Sequence, residues 1–427
     1  MKPLVALLIF SITYVGIASE KVPRHVIGLF GALCLMLAGV MDLNKAITYV
    51  NWDTIGLLLG MFVLMAVLAD AGFFQYLANW VAAKLGYNPA AVIVVFPVLA
   101  ALLAAFMDSI TVVLFLSALS LDLCKLLQVN PVPLVIAEVC GANIGGAATL
   151  VGDPPNVILG TMLGFGFADF LRGTGPVALL CLALTVAWFK LATLRDYPNR
   201  RVEHPPIDPG HAINDRRMMV LGLLGLIVAV LLLITYRYID DWLKAGISPA
   251  VASLIPALTV LILGGETTRE TFSKIDGESL LFFIALFMVI GGLEETGIVS
   301  NLGAALRNAA GSSTTALIAI LAWGSGLLSG VVDNVPLAVT MGYLVRYLAS
   351  QQGQHLLSWL TWAVALGVDI GGNLTPIGAS ANVVGYATLD KRGYRVGWKQ
   401  WLLYAAPPTL LSLLATSAVI AARARLR

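Results

Sequence analysis

The sequence predicts an all-α polytopic membrane protein made of two structural repeats, inverted relative to each other, with broken helices and re-entrant hairpins around a midplane site. Composition, the spacing of apolar runs and an internal repeat each point that way. Of the 427 residues, 59% are hydrophobic and 12% charged, against roughly 45–50% and about 25% in a soluble domain. A soluble enzyme is excluded. The 26 Lys and Arg nearly balance the 24 Asp and Glu, and no basic block recurs outside the central loop and the C-terminus, so there is no nucleic-acid footprint. Cys34, Cys124, Cys140 and Cys181 stand singly in apolar runs, a pattern of packing residues rather than of disulfides or a zinc site.

A membrane-spanning helix takes about 20 mostly apolar residues. In order, apolar runs centre on 4–18, 26–40, 55–68, 90–107, 132–151 and 176–194, then on 220–236, 249–264, 280–293, 315–332, 357–374 and 401–422. Shorter pieces at 110–123, 157–170 and 335–348 imply that several helices are broken. Run 4–18 could pass for a signal peptide, but apolar chain resumes after it without a clear cleavage site, so it reads as the first span. The long polar stretch 195–217 carries Arg195, Arg200, Arg201, Arg216 and Arg217, which places it in the cytoplasm. Trp52, Trp80, Trp398 and Trp401 stand at segment ends, as in interfacial belts.

The internal repeat defines the halves. Segment 68–72 (LADAG) matches 293–297 (LEETG) at an offset of 225, which also carries Asp108 onto Asp333. One residue is then inserted, and 141–149 (GANIGGAAT) falls on 367–375 (GVDIGGNLT). The division is therefore 1–194, a linker loop 195–217, and 218–427. Six full spans per half would make the repeats parallel; one re-entrant run per half makes the crossing number odd and the repeats inverted, and the short apolar pieces favour this.

Three constellations carry chemistry. Asp108 and Asp333 each stand at a polar break between an apolar run and a shorter piece, and such breaks are tolerated at membrane depth only within protein or beside water; each Asp also suits a helix cap. The loops 145–156 (GGAATLVGDPPN) and 371–382 (GGNLTPIGASAN) combine glycines that allow close backbone approach with prolines that stop a helix. In them Gly145, Gly146, Gly152, Gly371, Gly372 and Gly378 supply backbone, while Thr149, Asn156, Asn373, Thr375 and Asn382, with Asn143 just before, supply substrate-binding side chains. The third set is the acids Asp108, Glu138, Asp153, Asp333 and Asp369, none with a Lys or Arg in its own apolar segment. An ionised carboxylate at that depth is costly, so each is protonated, cation-bound or open to water, and Asp108, Asp333, Asp369 and Glu138 are the candidate proton carriers. The halves are chemically unequal: Glu138 aligns with Val364, Asn143 with Asp369 and Asp153 with Ala379. That inequality suits a coupled transporter better than a symmetric pore. The histidines and Cys140 are weaker candidates, a lone buried Cys being usually a packing residue, and Asp70, Glu294 and Glu295 read as interfacial.

At segments 138–156, 333–336 and 373–378 the chain resembles the ArsB/NhaD family of the ion transporter superfamily, which includes arsenite permeases, NhaD-type sodium/proton antiporters and relatives of the P protein. The resemblance implies an inverted-repeat bundle with two hairpins and two broken helices, an elevator-like shift and a homodimer in a bacterial or archaeal cytoplasmic membrane. One departure is Ser109, where many relatives carry Asn. The leading expectation is proton-coupled efflux of arsenite or antimonite, bound by the Asn and Thr side chains. The alternative is a sodium or lithium/proton antiporter whose hard oxygen ligands suit a small cation. Import of an oxyanion or dicarboxylate ranks lower, because the acids would repel it and the site shows no Arg or Lys of its own. An intramembrane aspartyl protease built on Asp108 and Asp333 leaves the paired Gly/Thr/Asn loops unexplained. No cofactor or resident metal is expected, and no GxxxxGK[ST] nucleotide loop is present; any external ATPase subunit would dock on the 195–217 loop.

Overall fold

The computed structural model describes residues 2–19, 21–200, 208–265, 271, 273–311 and 313–426, and among them contains helices and no strand. In the first half the α-helices are α1 (Lys2–Ala18), α2 (Arg24–Leu37), α3 (Leu43–Tyr49), α4 (Trp52–Asp70), α5 (Phe73–Lys84), α6 (Pro89–Ala104), α7 (Ser109–Leu127), α8 (Pro131–Gly146), α9 (Pro154–Leu163), α10 (Phe167–Gly173) and α11 (Gly175–Ala192). The second half has α12 (Arg216–Leu243), α13 (Pro249–Gly264), α14 (Gly277–Glu295), α15 (Ile298–Ala310), α16 (Thr314–Ser329), α17 (Asn334–Gln352), α18 (Leu357–Gly371), α19 (Ser380–Lys391) and α20 (Trp398–Arg425). Each expected apolar run lies on a helix. Among the described residues, six helices are long and apolar enough to cross a membrane by themselves, and six shorter apolar ones accompany them. Part of the 195–217 linker, including Arg201 and His204, lies outside the described residues.

Element bounds recur at the offset of the sequence repeat: α4 to α7 correspond to α14 to α17, and α8 and α9 to α18 and α19. The local signals recur too. Gly72 and Gly297, with φ of 81° and 74°, open α5 and α15 in the left-handed conformation that glycine adopts without strain. Asp108 caps α7 by accepting from the Thr111 amide at 2.8 Å, and Asp333 caps α17 by accepting from that of Val335 at 3.1 Å.

The helices pack as two groups. In one, α4 and α12 lie against α13, and α2 lies against α1 and α14. The other places α6 on α8 and α16 on α18, with α11 and α20 beside them. Its tightest contacts rest on glycine. A Cβ at Gly145 would stand 2.1 Å from the Ala101 carbonyl oxygen, and one at Gly371 the same distance from that of Gly326, so only glycine lets these helices meet. Between repeats the contacts are reciprocal: α7 packs on α19, and α17 on α9.

Hydrogen bonds fix how the hairpins enter. Asn88, before α6, bonds Asn199 at 2.6 Å, and Arg200 bonds the carbonyl of Leu127 at the end of α7 at 2.8 Å. Both ends of the α6–α7 hairpin thus stand at the linker face. Its tip meets the gap between α8 and α9, where the Thr149 hydroxyl donates to the Ala105 carbonyl. Helices of 16 and 10 residues flank that gap, roughly 24 and 15 Å of a crossing, so the hairpin is re-entrant. In the second repeat the Thr375 hydroxyl bonds the Gly330 carbonyl at 2.5 Å in the same way. Each repeat then crosses through α1, α2, α4, the α8–α9 pair and α11, or their counterparts, an odd number that inverts one repeat relative to the other.

Candidate substrate and coupling site

The two interrupted helices are held open by their own side chains. Asn156 donates its amide N–H groups to the carbonyls of Gly146 at 2.8 Å and Thr149 at 3.1 Å. Asn382 does the same to Gly372 and Thr375, both at 2.7 Å. Each Asn thereby satisfies carbonyls orphaned by the break, whose exposure to an apolar interior would be costly. The glycines allow the loops to fold back: a Cβ at Gly152 would meet the Gly146 oxygen at 2.5 Å, and one at Gly378 the Gly372 oxygen at 2.3 Å.

Where the two breaks face each other, Asn143 donates to the side-chain oxygens of Asn373 at 2.7 Å and Asn382 at 2.8 Å. Asp369 holds the repeat-related position to Asn143. Asn143, Asn156, Asp369 and Asn382 are 0% exposed and Asn373 1%. The structure therefore brings four of the expected substrate ligands together with Asp369, in a sealed polar cluster between the repeats. Trp401, expected at the membrane interface, is instead fully buried and donates to the Asn373 carbonyl at 3.1 Å, beside the second break.

Beside this cluster lies an open cavity of about 270 Å³. Ser109 and Asp333 with Asn334 bring the two hairpin tips to it, Asp153 the start of α9, and Ser380 the start of α19. The facing wall is α2 and α14, through Arg24, His25, Asp276 and Glu278. An adjoining cavity of about 330 Å³ reaches Asp108, Asp70 and Lys274. Asn214 of the central loop bonds the Asp70 carbonyl at 3.0 Å, so these cavities open toward the linker face. Lys274 pairs with Asp70 at 2.8 Å and Lys45 with Glu295 at 2.6 Å, in keeping with interfacial acids.

Arg24 corrects the expectation that the site has no basic residue. Its guanidinium bonds Asp333 at 2.7 Å and the Ser380 hydroxyl at 3.2 Å, joining one helix group to the other. Sequence separation hid this pair, since Arg24 lies 309 positions from Asp333; the one local signal is that Arg24 and His25 open an apolar run. His25 also reaches the cavity and stands 3.6 Å from Glu278. The two breaks differ chemically. The α9 end carries Asp153, which accepts from Ser109 at 2.8 Å, followed by two prolines without N–H groups. The α19 end replaces these with Ala379, Ser380 and Ala381, which leaves the Ser380 and Ala381 N–H groups available, while that of Asn382 donates to the Ala379 carbonyl at 3.0 Å. Asp153 also feels Asp108, Asp333 and Asp369 electrostatically. Glu138 lies apart, buried between α7 and α8 with Ser120 as donor. Cys140 is a buried free thiol, and no group of three or more His, Cys, Asp or Glu able to hold a metal occurs among the described residues.

Re-entrant hairpins whose tips meet broken helices beside an open cavity define a membrane transporter. The chain belongs to the citrate transporter family CitMHS, which matches residues 14–367. It is 34% identical over 416 residues to an uncharacterized transporter of Mycobacterium tuberculosis, spanning 96% of each. It is 28% identical over 499 residues to the P protein of Mus musculus, covering 95% of this chain and 58% of that one. Its fold matches the crystal structure of the Alcanivorax borkumensis YdaH transporter, described as having an unusual topology, with a TM-score of 0.59 at 15% identity over 91% of this chain and 87% of that one. The chain is thus an integral multi-pass membrane protein of a transporter family. The relation to the P protein agrees with the motif reading; the specific arsenite-permease affiliation and arsenite or antimonite as substrate find no support in these matches.

Proposed function

We propose that the protein is a secondary transporter of a small carboxylate or similar oxyanion, moved together with protons or another small cation. The observation that carries this reading is Arg24 in the cavity, set against the free N-terminus of α19. A guanidinium and a helix N-terminus are both good partners for a carboxylate. Ser380 adds a hydroxyl between them. The match to a citrate transporter family supports a carboxylate as the cargo.

Charge dictates the coupling. Asp153, Asp276, Glu278 and Asp333 share the cavity with Arg24 and His25, so a bare anion would be repelled. It becomes stable there when acids around it are protonated or hold a cation, and anion and positive charge then travel in the same direction. Asp108, Asp333, Asp369 and Glu138 are the candidate carriers of that charge. A substrate carboxylate that takes over Arg24 releases Asp333, and with it the link that ties the second hairpin to α2. The α8–α9 and α18–α19 cluster then moves relative to the α2–α14 wall as one body, within the repeat division 1–194 and 218–427.

Uptake of radiolabelled citrate into proteoliposomes under an inward proton gradient tests this reading. Wild type should accumulate citrate, and Arg24→Gln should lose most of the uptake. Unaltered uptake by Arg24→Gln would remove Arg24 from the site. The acid-rich lining also fits a second reading, sodium/proton antiport, in which sodium alone drives proton movement and citrate is inert.

A further inference from the structure

We propose that Asp369 binds the coupling proton, as a neutral carboxylic acid that donates to the side-chain oxygen of Asn156. The inference comes from comparing the two sides of the polar cluster. Asn156 and Asn382 are held in the same orientation, each giving its N–H groups to two carbonyls of its own break. Each therefore turns its Oδ1 toward the other repeat. On one side Asn382 Oδ1 receives an N–H from Asn143 at 2.8 Å. On the repeat-related side the neighbour of Asn156 is Asp369, and an ionised carboxylate has no proton to give. Both Asp369 oxygens, Asn156 Oδ1 and, across the cluster, Asn143 Oδ1 are buried without a hydrogen-bond donor. Buried polar atoms in native proteins are paired almost without exception. One proton on Asp369 supplies a donor to Asn156 Oδ1, as Asn143 does to Asn382 Oδ1.

Asp153 is the charged group that acts on Asp369; Asn156 of α9 faces it as a neutral amide, and among the described residues no charged group of α8, α16, α17 or α20 acts on it. Asp153 also lines the open cavity. A proton that enters from the cavity on the Asp153 side and adds to the carboxylate of Asp369 leaves it neutral, and no other bond changes. This assignment deepens the proton-coupled reading above, but protonation of Asp369 is measurable without any substrate.

The test is infrared spectroscopy of the purified full-length protein at neutral pH. Asp369→Asn should remove one carboxylic-acid C=O equivalent from the wild-type spectrum. Asn156→Ala, which keeps the acid and removes its acceptor, should shift the same band to higher frequency, and this variant decides the matter if Asp369→Asn does not fold. An acid band unchanged by both substitutions, or loss of a carboxylate band in its place, overturns the proposal. In vesicles, Asp369→Asn should lose accumulation of citrate driven by a pH gradient. A normal infrared result with no citrate transport in wild type would retire the carboxylate reading and leave the proton site standing.

Discussion

Arg24 neutralises Asp333 at 2.7 Å, and in the proposed function it is also the cation that meets a carboxylate substrate, two jobs that compete. A hydrogen bond to a charged group contributes roughly 1.5–3 kcal/mol, so Arg24→Gln should raise the half-saturating citrate concentration by about 10- to 100-fold. Arg24→Lys keeps the charge but gives up the planar fork and should fall between; the concentration dependence of initial uptake measures both, and equal values for all three proteins would show that the cargo does not touch this residue. The duplicated motifs exposed Asp108, Asp333, Asn156 and Asn382 in the sequence because both copies kept their polar residues. Arg24 escaped notice because its repeat counterpart is Pro249 and its partner is distant in the chain. The roles of the asparagines were harder to see: in the fold their N–H groups secure backbone carbonyls, a task that spacing along the chain does not distinguish from ligand binding.

Helices followed hydropathy where they are apolar and escaped it where they are not. The run 157–170 marks α9, but its counterpart α19 (SANVVGYATLDK) is polar enough to look like loop, and α5 and α15 lie among polar turns. Glycine sets how closely the breaks and hairpins meet. Gly145→Ala and Gly371→Ala would each drive a Cβ into a carbonyl oxygen at 2.1 Å, and overpacking of this kind costs about 1–3 kcal/mol. Both variants should unfold at lower temperature in detergent, whereas Gly324→Ala, with open space around its Cβ position, should match wild type. Equal unfolding temperatures for all three would mean that these helix pairs do not need their close approach.

Taken whole, the molecule is two inverted repeats that have diverged at their breaks, one end carrying Asp153 and two prolines, the other Ala379, Ser380 and free N–H groups. In the proposed function that divergence separates a place for positive charge from a place for the anion, and it is visible in the aligned loops. The direction in which the cavity opens is not, because it depends on which helix ends meet Asn199, Arg200 and Asn214 across the fold. In a Cys34→Ser background, Ser380→Cys should react with a membrane-impermeant thiol reagent applied from the face that carries the 195–217 loop, and less from the other face; the reverse preference would place the cavity mouth on the opposite side. The most direct test of co-movement of carboxylate and positive charge follows internal pH in proteoliposomes while citrate or sodium is added outside. Internal acidification on adding citrate, lost in Arg24→Gln, is the expected result. Internal pH that responds to sodium and stays flat with citrate would contradict it and make the acid-lined cavity a cation site.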